Sequence, residues 1–293
     1  MQRGAPRASL RHRLMRLAGV LLLVCAIPAE ALTVQLLGAS AASEEFEQAL
    51  RARLGSSHEV VTGKVADADI VLVLHEGALA ESRQSQRPRL LLLPAPGGVA
   101  LQHGETALYW APALGDQLRL AARIMPGLRR VGLLVGPQDL ARAEALRSGV
   151  SGQRLELVVR QATPALLSRQ VADLAVTTDV LVAPVDAHLY NRDNLKPALM
   201  AAYRQNRAFI GPNPAWVRAG ALASLYATPG TLAADAALAI LAFQEDGRWP
   251  APSHASRFDV ITNPQVARAL GLRLPDAASL TRAMQSEREG VWP

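Results

Sequence analysis

From Leu32 onward, short continuous apolar runs alternate with longer stretches in which apolar residues recur every third or fourth position. The strand-like apolar runs, most of them continuous, are Thr33–Leu37, Ile70–Leu74, Leu90–Leu93, Val131–Val135, Leu155–Val159, Val180–Ala183 and Phe209–Ile210. Runs of this length without polar alternation predict strands buried on both faces of a parallel sheet. Between them lie helical patterns. Phe46, Ala49, Leu50 and Leu54 share a face, as do Leu114, Leu118, Ala121, Ala122 and Met125. Leu167, Val171 and Leu174 form a third such face, Leu195, Leu199, Ala202 and Tyr203 a fourth, and Leu232, Ala236, Ile240 and Phe243 a fifth. Thr228-Pro229 and Asn263-Pro264 each read as an N-cap with proline at the first helical position, and Gly271 as the stop after Val266 and Leu270.

Repeated strand–helix–strand units predict an α/β fold of two doubly wound parallel-sheet lobes joined by a hinge. The expected division is residues 32–127 for lobe 1 and 128–227 for lobe 2, with 228–293 returning to complete lobe 1. Met125-Pro126-Gly127 and Thr228-Pro229-Gly230 are the breakers between sets, so the hinge is expected near Met125–Arg129 and Tyr226–Gly230. The tail carries one long helix, a Pro-rich turn at Gly247–Ser253, a strand near Phe258–Ile261 and one more helix.

The first residues follow a different logic. Arg3, Arg7, Arg11, Arg13 and Arg16 precede an apolar run from Leu17 to Ile27, which is short for a membrane span. Ala29-Glu30-Ala31 then supplies the small residues that a signal peptidase reads. Residues 1–31 are therefore expected to be a signal peptide cut after Ala31, giving a periplasmic protein that does not itself span a membrane. An uncleaved anchor and lipidation at Cys25 are the alternatives. This segment changes the reading of charge: the whole chain is formally +6, but residues 32–293 carry 26 basic and 24 acidic residues, or +2. A nucleic-acid partner loses its main support. The one cysteine, Cys25, falls in the same segment, so the mature chain is expected to hold no disulfide and no cysteine metal site.

Ligands of open parallel sheets bind beyond the carboxyl ends of the strands. Those ends are Gly38-Ala39-Ser40, His75-Glu76-Gly77 and Pro94-Ala95-Pro96 in the first set. In the second they are Gly136-Pro137-Gln138, Pro184-Val185-Asp186 and Gly211-Pro212-Asn213. Ser40, Glu76, Pro137, Asp186, His188 and Asn213 are the candidate ligand contacts, with Trp216 and Tyr226 as aromatic surfaces for an apolar group. Catalytic patterns are lacking: there is no G-x-S-x-G, no phosphate-cradling glycine loop and no H-E-x-x-H. The histidines after residue 31 (His58, His75, His103, His188 and His254) are scattered. The expectation is a binding protein rather than an enzyme, without cofactor or metal.

Gly127-Leu128-Arg129-Arg130-Val131-Gly132-Leu133-Leu134 resembles the entry into the second lobe of ABC-transporter substrate-binding proteins, in the family with tryptophan- and other aromatic-amino-acid-binding members. Phe209-Ile210-Gly211 leading to Val217–Ala223 is similar to the family's return segment. Phe258–Asn263 followed by Ala267–Pro275 resembles its C-terminal signature. The likeness covers roughly residues 114–285 and implies a type I periplasmic-binding fold with three crossovers, hinge closure on a small molecule, and an inner-membrane ABC permease as partner. The departures are Val135-Gly136-Pro137, Asp186-Ala187 and Pro94–Gly98, where ligand contacts of the family usually stand. They open a second reading: a periplasmic sensor or accessory protein on the same scaffold, with a degenerate site.

Overall fold

The computed structural model describes residues 31–63, 67–150 and 155–289; the expected signal peptide falls, but for Ala31, outside them. In chain order the first part is β1 (Thr33–Leu37), α1 (Glu44–Leu54), β2 (Glu59–Thr62), β3 (Ile70–Val73), α2 (Leu79–Ser82), β4 (Arg89–Leu93), β5 (Glu105–Tyr109) and α3 (Leu114–Ile124). Next come β6 (Arg130–Val135), α4 (Leu140–Val150), β7 (Glu156–Gln161), α5 (Leu167–Thr177), β8 (Val180–Val182), α6 (Arg192–Arg204), β9 (Ala208–Gly211), α7 (Pro214–Ala219) and β10 (Ala223–Tyr226). The chain ends with α8 (Pro229–Asp246), β11 (Ser253–His254), β12 (Asp259–Thr262), α9 (Pro264–Ala269) and α10 (Ala277–Glu289).

These strands form two six-stranded sheets, ordered β11-β5-β4-β3-β1-β2 and β12-β10-β9-β8-β6-β7. Every pairing is parallel except that of β10 with β12. Because alternate residues of a strand point to opposite faces, each sheet splits its apolar residues between two cores. In the first sheet, Val34, Leu36, Ile70, Leu72, Leu90, Leu92 and Leu108 pack under α1 and α8. Leu37, Val71, Val73, Leu91, Leu93, Ala107 and Tyr109 face the other way, under Ala78, Leu79, Val99 and Leu101. In the second sheet, Val131, Leu133, Val135, Val180, Val182 and Ile210 pack with residues of α3, α4, α9 and α10. Leu134, Leu181, Ala183 and Phe209 pack under α5, α6 and Trp216 of α7. The two-sided burial read from the continuous runs is thus realised in both lobes.

The lobes are interleaved differently from the expected division. Helix α3, expected in lobe 1, buries Leu118, Leu120, Ala121 and Ile124 against the second sheet. The first crossing between lobes is therefore at residues 110–113, just after β5, and not at Met125–Arg129. The tail also divides. Helix α8 and β11 stay with the first sheet, but β12 joins β10 in antiparallel register (Tyr226 opposite Asp259) and α10 buries Leu280 and Met284 in the second lobe. Crossings two and three follow at residues 227–228 and 255–258. The physical reason is coverage: without α3, α9 and α10 one face of the second sheet would keep only α4 as cover, and without β12 its outer strand β10 would lack a partner. The backbone N–H of Val260 donates to the Thr281 hydroxyl at 2.9 Å, which ties α10 to that strand.

Strand β5 escapes hydrophobic-run reading because it opens on Glu105 and Thr106. Its Glu105 sits in register with Arg89 at the start of β4. The Glu105 carboxylate, with its side chain fully buried, accepts from Arg83 Nε at 2.9 Å and Nη2 at 2.7 Å, and Arg89 Nη1 lies 3.5 Å away. The backbone N–H of Gln102 adds a further bond at 2.9 Å. Burial alone would raise the pKa of Glu105, but the bonds from Arg83 and from the Gln102 amide and the charges of Arg83 and Arg89 outweigh it and hold the carboxyl below its ordinary value. A carboxyl depressed in the folded state stabilises above its unfolded pKa, and that contribution is lost as pH falls through the folded value. Stability measured by urea unfolding should therefore decline as pH drops below about 4.3. Glu105→Gln should cost about 3 kcal/mol at pH 7, since it leaves the buried Arg89 and the partly exposed Arg83 without their counter-charge, and should flatten the acid limb.

Candidate functional site

The carboxyl ends of the two sheets meet around a cavity of about 210 Å3. Ala95 and Pro96 follow β4, Pro184 and Val185 follow β8, and His254 ends β11; Pro112–Gly115 belong to the first crossing and the start of α3. Arg142 and Leu146 project from α4 and Gln117 from α3. The wall is therefore mostly small and apolar, with few polar groups, the usual make-up of a small-molecule site. A second hollow of about 270 Å3 lies beside α8 and β5, lined by Leu90, Ala107, Leu238, Ala242 and Pro250 among others. It runs along the flank of β5 from Thr106 to Leu108 beneath α8 and touches strand ends of the first lobe alone, whereas the first cavity is walled by strand ends of both lobes, so the topology favours the first as the ligand site.

Gln117 fixes the floor of that cavity. It is buried, and its amide nitrogen donates to the carbonyls of Ala183 at 3.2 Å and Gly211 at 3.3 Å, where β8 and β9 run out. One side chain thus satisfies two carbonyls that the sheet leaves over and locks α3 onto the second lobe. On the first-lobe side, the Tyr109 and His254 rings lie 5.2 Å apart and His254 Nδ1 donates to the Ala111 carbonyl at 2.7 Å. Burial raises the Tyr109 phenol's pKa, with the charge of Arg142 acting in opposition.

Arg142 spans the gap between the lobes. Its Nη2 pairs with Asp139 at 2.7 Å, three residues earlier, and its Nη1 donates to the carbonyl of Pro96 in the other lobe. Burial pushes the Asp139 carboxyl up; Arg142 opposes the shift and Asp186 adds to it. Asp186 turns its own carboxylate inward. Oδ1 accepts the backbone N–H groups of His188 at 3.0 Å and Leu189 at 2.8 Å, and Oδ2 accepts Gln138 Nε2 at 3.1 Å. Tyr190 closes this loop by donating its hydroxyl to the Leu134 carbonyl at 3.1 Å, and burial with the nearby Asp186 charge drives its pKa upward. Gly136 leaves the space: a Cβ there would lie 2.6 Å from Asp186 Oδ2 and 2.8 Å from Gln138 Nε2. The side-chain-free strand end noted in the sequence is the seat of this carboxylate.

The eight candidate contacts scatter over this geography, and none of them is in the cavity wall. Pro137, Asp186 and His188 come together beside Gln138, His188 through its backbone and with its side chain exposed. Ser40 and Glu76 stand exposed at first-lobe strand ends, and Glu76 lies beside Gly98. Asn213 caps α7 by accepting from the Ala215 N–H at 3.0 Å, and Tyr226 is half-buried in the β10–β12 pair. Trp216 is core: it meets Tyr190 edge-on at 5.0 Å and Phe209 at 5.8 Å, beneath α6. Packing claims this ring because α7 lays it directly over Gly211, where a Cβ would come 2.5 Å from that of Trp216. Sequence reasoning missed Gln117 and Arg142. The first could be found as the one glutamine within the apolar pattern of α3, the second from the Asp139–Arg142 spacing of three on a helix start.

No family model matches the sequence, and no curated protein matches it. Solved structures do. A conserved domain protein from Vibrio cholerae aligns at TM-score 0.57 and 19% identity, covering 86% of this chain and 98% of that one. A substrate-binding protein with adhesive properties from Clostridium difficile, in its ligand-free, open form, aligns at 0.64 and 14%, covering 84% and 96%. A Streptococcus pneumoniae ABC domain in complex with L-Trp aligns at 0.54 and 13%, covering 85% and 97%. A xylose-binding transcription activator aligns at 0.53 and 14%, covering 89% and 76%. The fold is the two-lobed α/β fold of type I periplasmic binding proteins.

Gln117→Leu keeps the volume but orphans the Ala183 and Gly211 carbonyls. It should cost about 1–3 kcal/mol in urea unfolding. Gly136→Ala should push Asp186 off Gln138 and cost about 1–3 kcal/mol by the same measurement.

Proposed function

We propose that this chain is a solute-binding protein: it clamps a small molecule between its lobes and delivers it to an ABC-type permease in the inner membrane. The observation that carries the reading is the cavity where the carboxyl ends of both sheets meet, in a chain that crosses between the two sheets three times. A ligand there contacts both lobes at once, so binding favours closure about residues 110–113, 227–228 and 255–258. The likeness to substrate-binding proteins supports the same function. The wall holds no combination of nucleophile, base and oxyanion donors, which favours binding over turnover.

The N-terminal pattern supports export to the periplasm with removal of residues 1–31. A second reading, a periplasmic sensor or accessory protein, draws on the fold likeness to a sugar-binding transcription activator and on the departures at Gly136 and Pro94–Gly98.

Two measurements test the proposal. Protein recovered from the periplasm after expression of the full chain should begin at Leu32 by N-terminal sequencing. Melting of residues 32–293 with a library of amino acids, nucleosides, sugars and organic acids should give a concentration-dependent rise in Tm for one chemical class. Small-angle scattering should show contraction with the same compounds. Flat melting across the library would overturn the solute-binding reading, and recovery of a partner complex lacking any permease would favour the sensor.

A further inference from the structure

Among the described residues of the cavity wall, Arg142 alone carries a permanent charge; nearly all the rest is proline, alanine, leucine, valine and glycine. Both donor contacts of Gln117 are already spent on strand-end carbonyls. Two carboxylates lie near, but neither is offered to the cavity. Asp186 is turned to two backbone N–H groups and Gln138, and Asp139 is buried behind the guanidinium it holds. A ligand that enters between the lobes therefore meets a mostly apolar enclosure with one permanently cationic fork and the imidazole of His254.

We infer that the cavity selects a small organic anion with an apolar body, and that Arg142 is the group that reads its charge. This rests on the solute-binding reading above. A guanidinium has five donors in a fixed plane, so it can keep Asp139 and still engage a second acceptor. Its present second acceptor is the carbonyl of Pro96, a neutral oxygen on the opposite lobe. A carboxylate is the stronger acceptor, since a hydrogen bond with both partners charged is roughly twice as strong as one between neutral groups. An entering carboxylate takes over the Nη1 donor, while the pair with Asp139 keeps the arm aimed into the gap. The side chain is 40% exposed, so an ion arriving from water reaches it without first being buried. Leu114, Leu146, Pro112, Pro184 and Val185 then cover the apolar remainder of the ligand. The Arg142–Pro96 bond joins the two lobes, so the residue that would read the ligand also spans the gap between them.

The test uses residues 32–293 and matched trios that differ only in the head group: 4-methylpentanoate, its primary amide and its amine, and 3-phenylpropanoate with the corresponding amide and amine. Melting curves at millimolar compound and low salt are followed by calorimetric titration. The carboxylates should raise Tm by about 3 °C or more, and the amides and amines should not. Arg142→Gln should weaken carboxylate binding about tenfold or more and erase the preference over the amide; Arg142→Lys, which keeps the charge but loses the fork, should fall between. Raising salt should weaken binding to the native protein and leave the Gln variant unaffected. Urea unfolding checks that both variants fold. Binding of the amides or amines as tightly as the acids, or full carboxylate binding by Arg142→Gln, would overturn the inference and leave the solute-binding reading intact. Failure of every member of the trios, together with a flat broader library, would overturn both.

Discussion

A parallel strand buried on both faces must be covered twice, and that constraint organises the whole molecule. Each sheet here divides its apolar residues evenly between two faces, so neither lobe is stable as a bare sheet. The first lobe takes α1 and α8 on one face and a thin cover of α2 and loops on the other. The second takes α5, α6 and α7 on one face and α3, α4, α9 and α10 on the other. Several of these helices come from sequence outside the lobe they cover. The chain must then pass between the lobes three times, and every passage lies close to the strand ends where a ligand would sit.

That arrangement links packing to function. Because α3 docks on the second sheet, its Gln117 can reach the ends of β8 and β9, and the short segment before it becomes a connection rather than a core element. Because α4 begins just after the end of β6, Arg142, held by Asp139, reaches the opposite lobe. The cavity is thus walled by residues whose positions follow from the covering of sheets. The buried Arg83–Glu105–Arg89 group has a different role: it lets a strand that begins with charged residues join an otherwise apolar sheet.

Sequence alone determined the strand runs, the α/β class and the two-lobed plan. Apolar periodicity is set by burial, and burial on two faces leaves a mark in every strand that is uniformly apolar. It missed β5, where Glu105 and Arg89 neutralise each other across two strands, and β2, β10 and the two-residue β11. It missed α4 because Leu140, Ala143 and Leu146 stand among alanines and arginines without a clear apolar stripe. Strand-end loops were legible as a class, and Asp186 was found among them. Its environment was not, since the donors to its carboxylate are the backbone N–H groups two and three residues on and Gln138 on another loop.

Only the tertiary structure decided which lobe each helix covers, and hence where the crossings and the cavity lie. Helix α3 carries the same kind of apolar stripe whichever sheet it packs on, so sequence could not assign it. Trp216 and Arg142 make the same point from opposite sides. An aromatic ring next to a strand end suits a ligand or a core equally, and packing over Gly211 placed it in the core. An arginine one turn into a helix is ordinary by sequence; it gains its place in the cavity wall because Pro96 of the other lobe, 46 residues away along the chain, accepts its bond. Periodicity records what a residue's own element buries, whereas a binding cavity is made by residues of different elements, and only the folded chain brings those together.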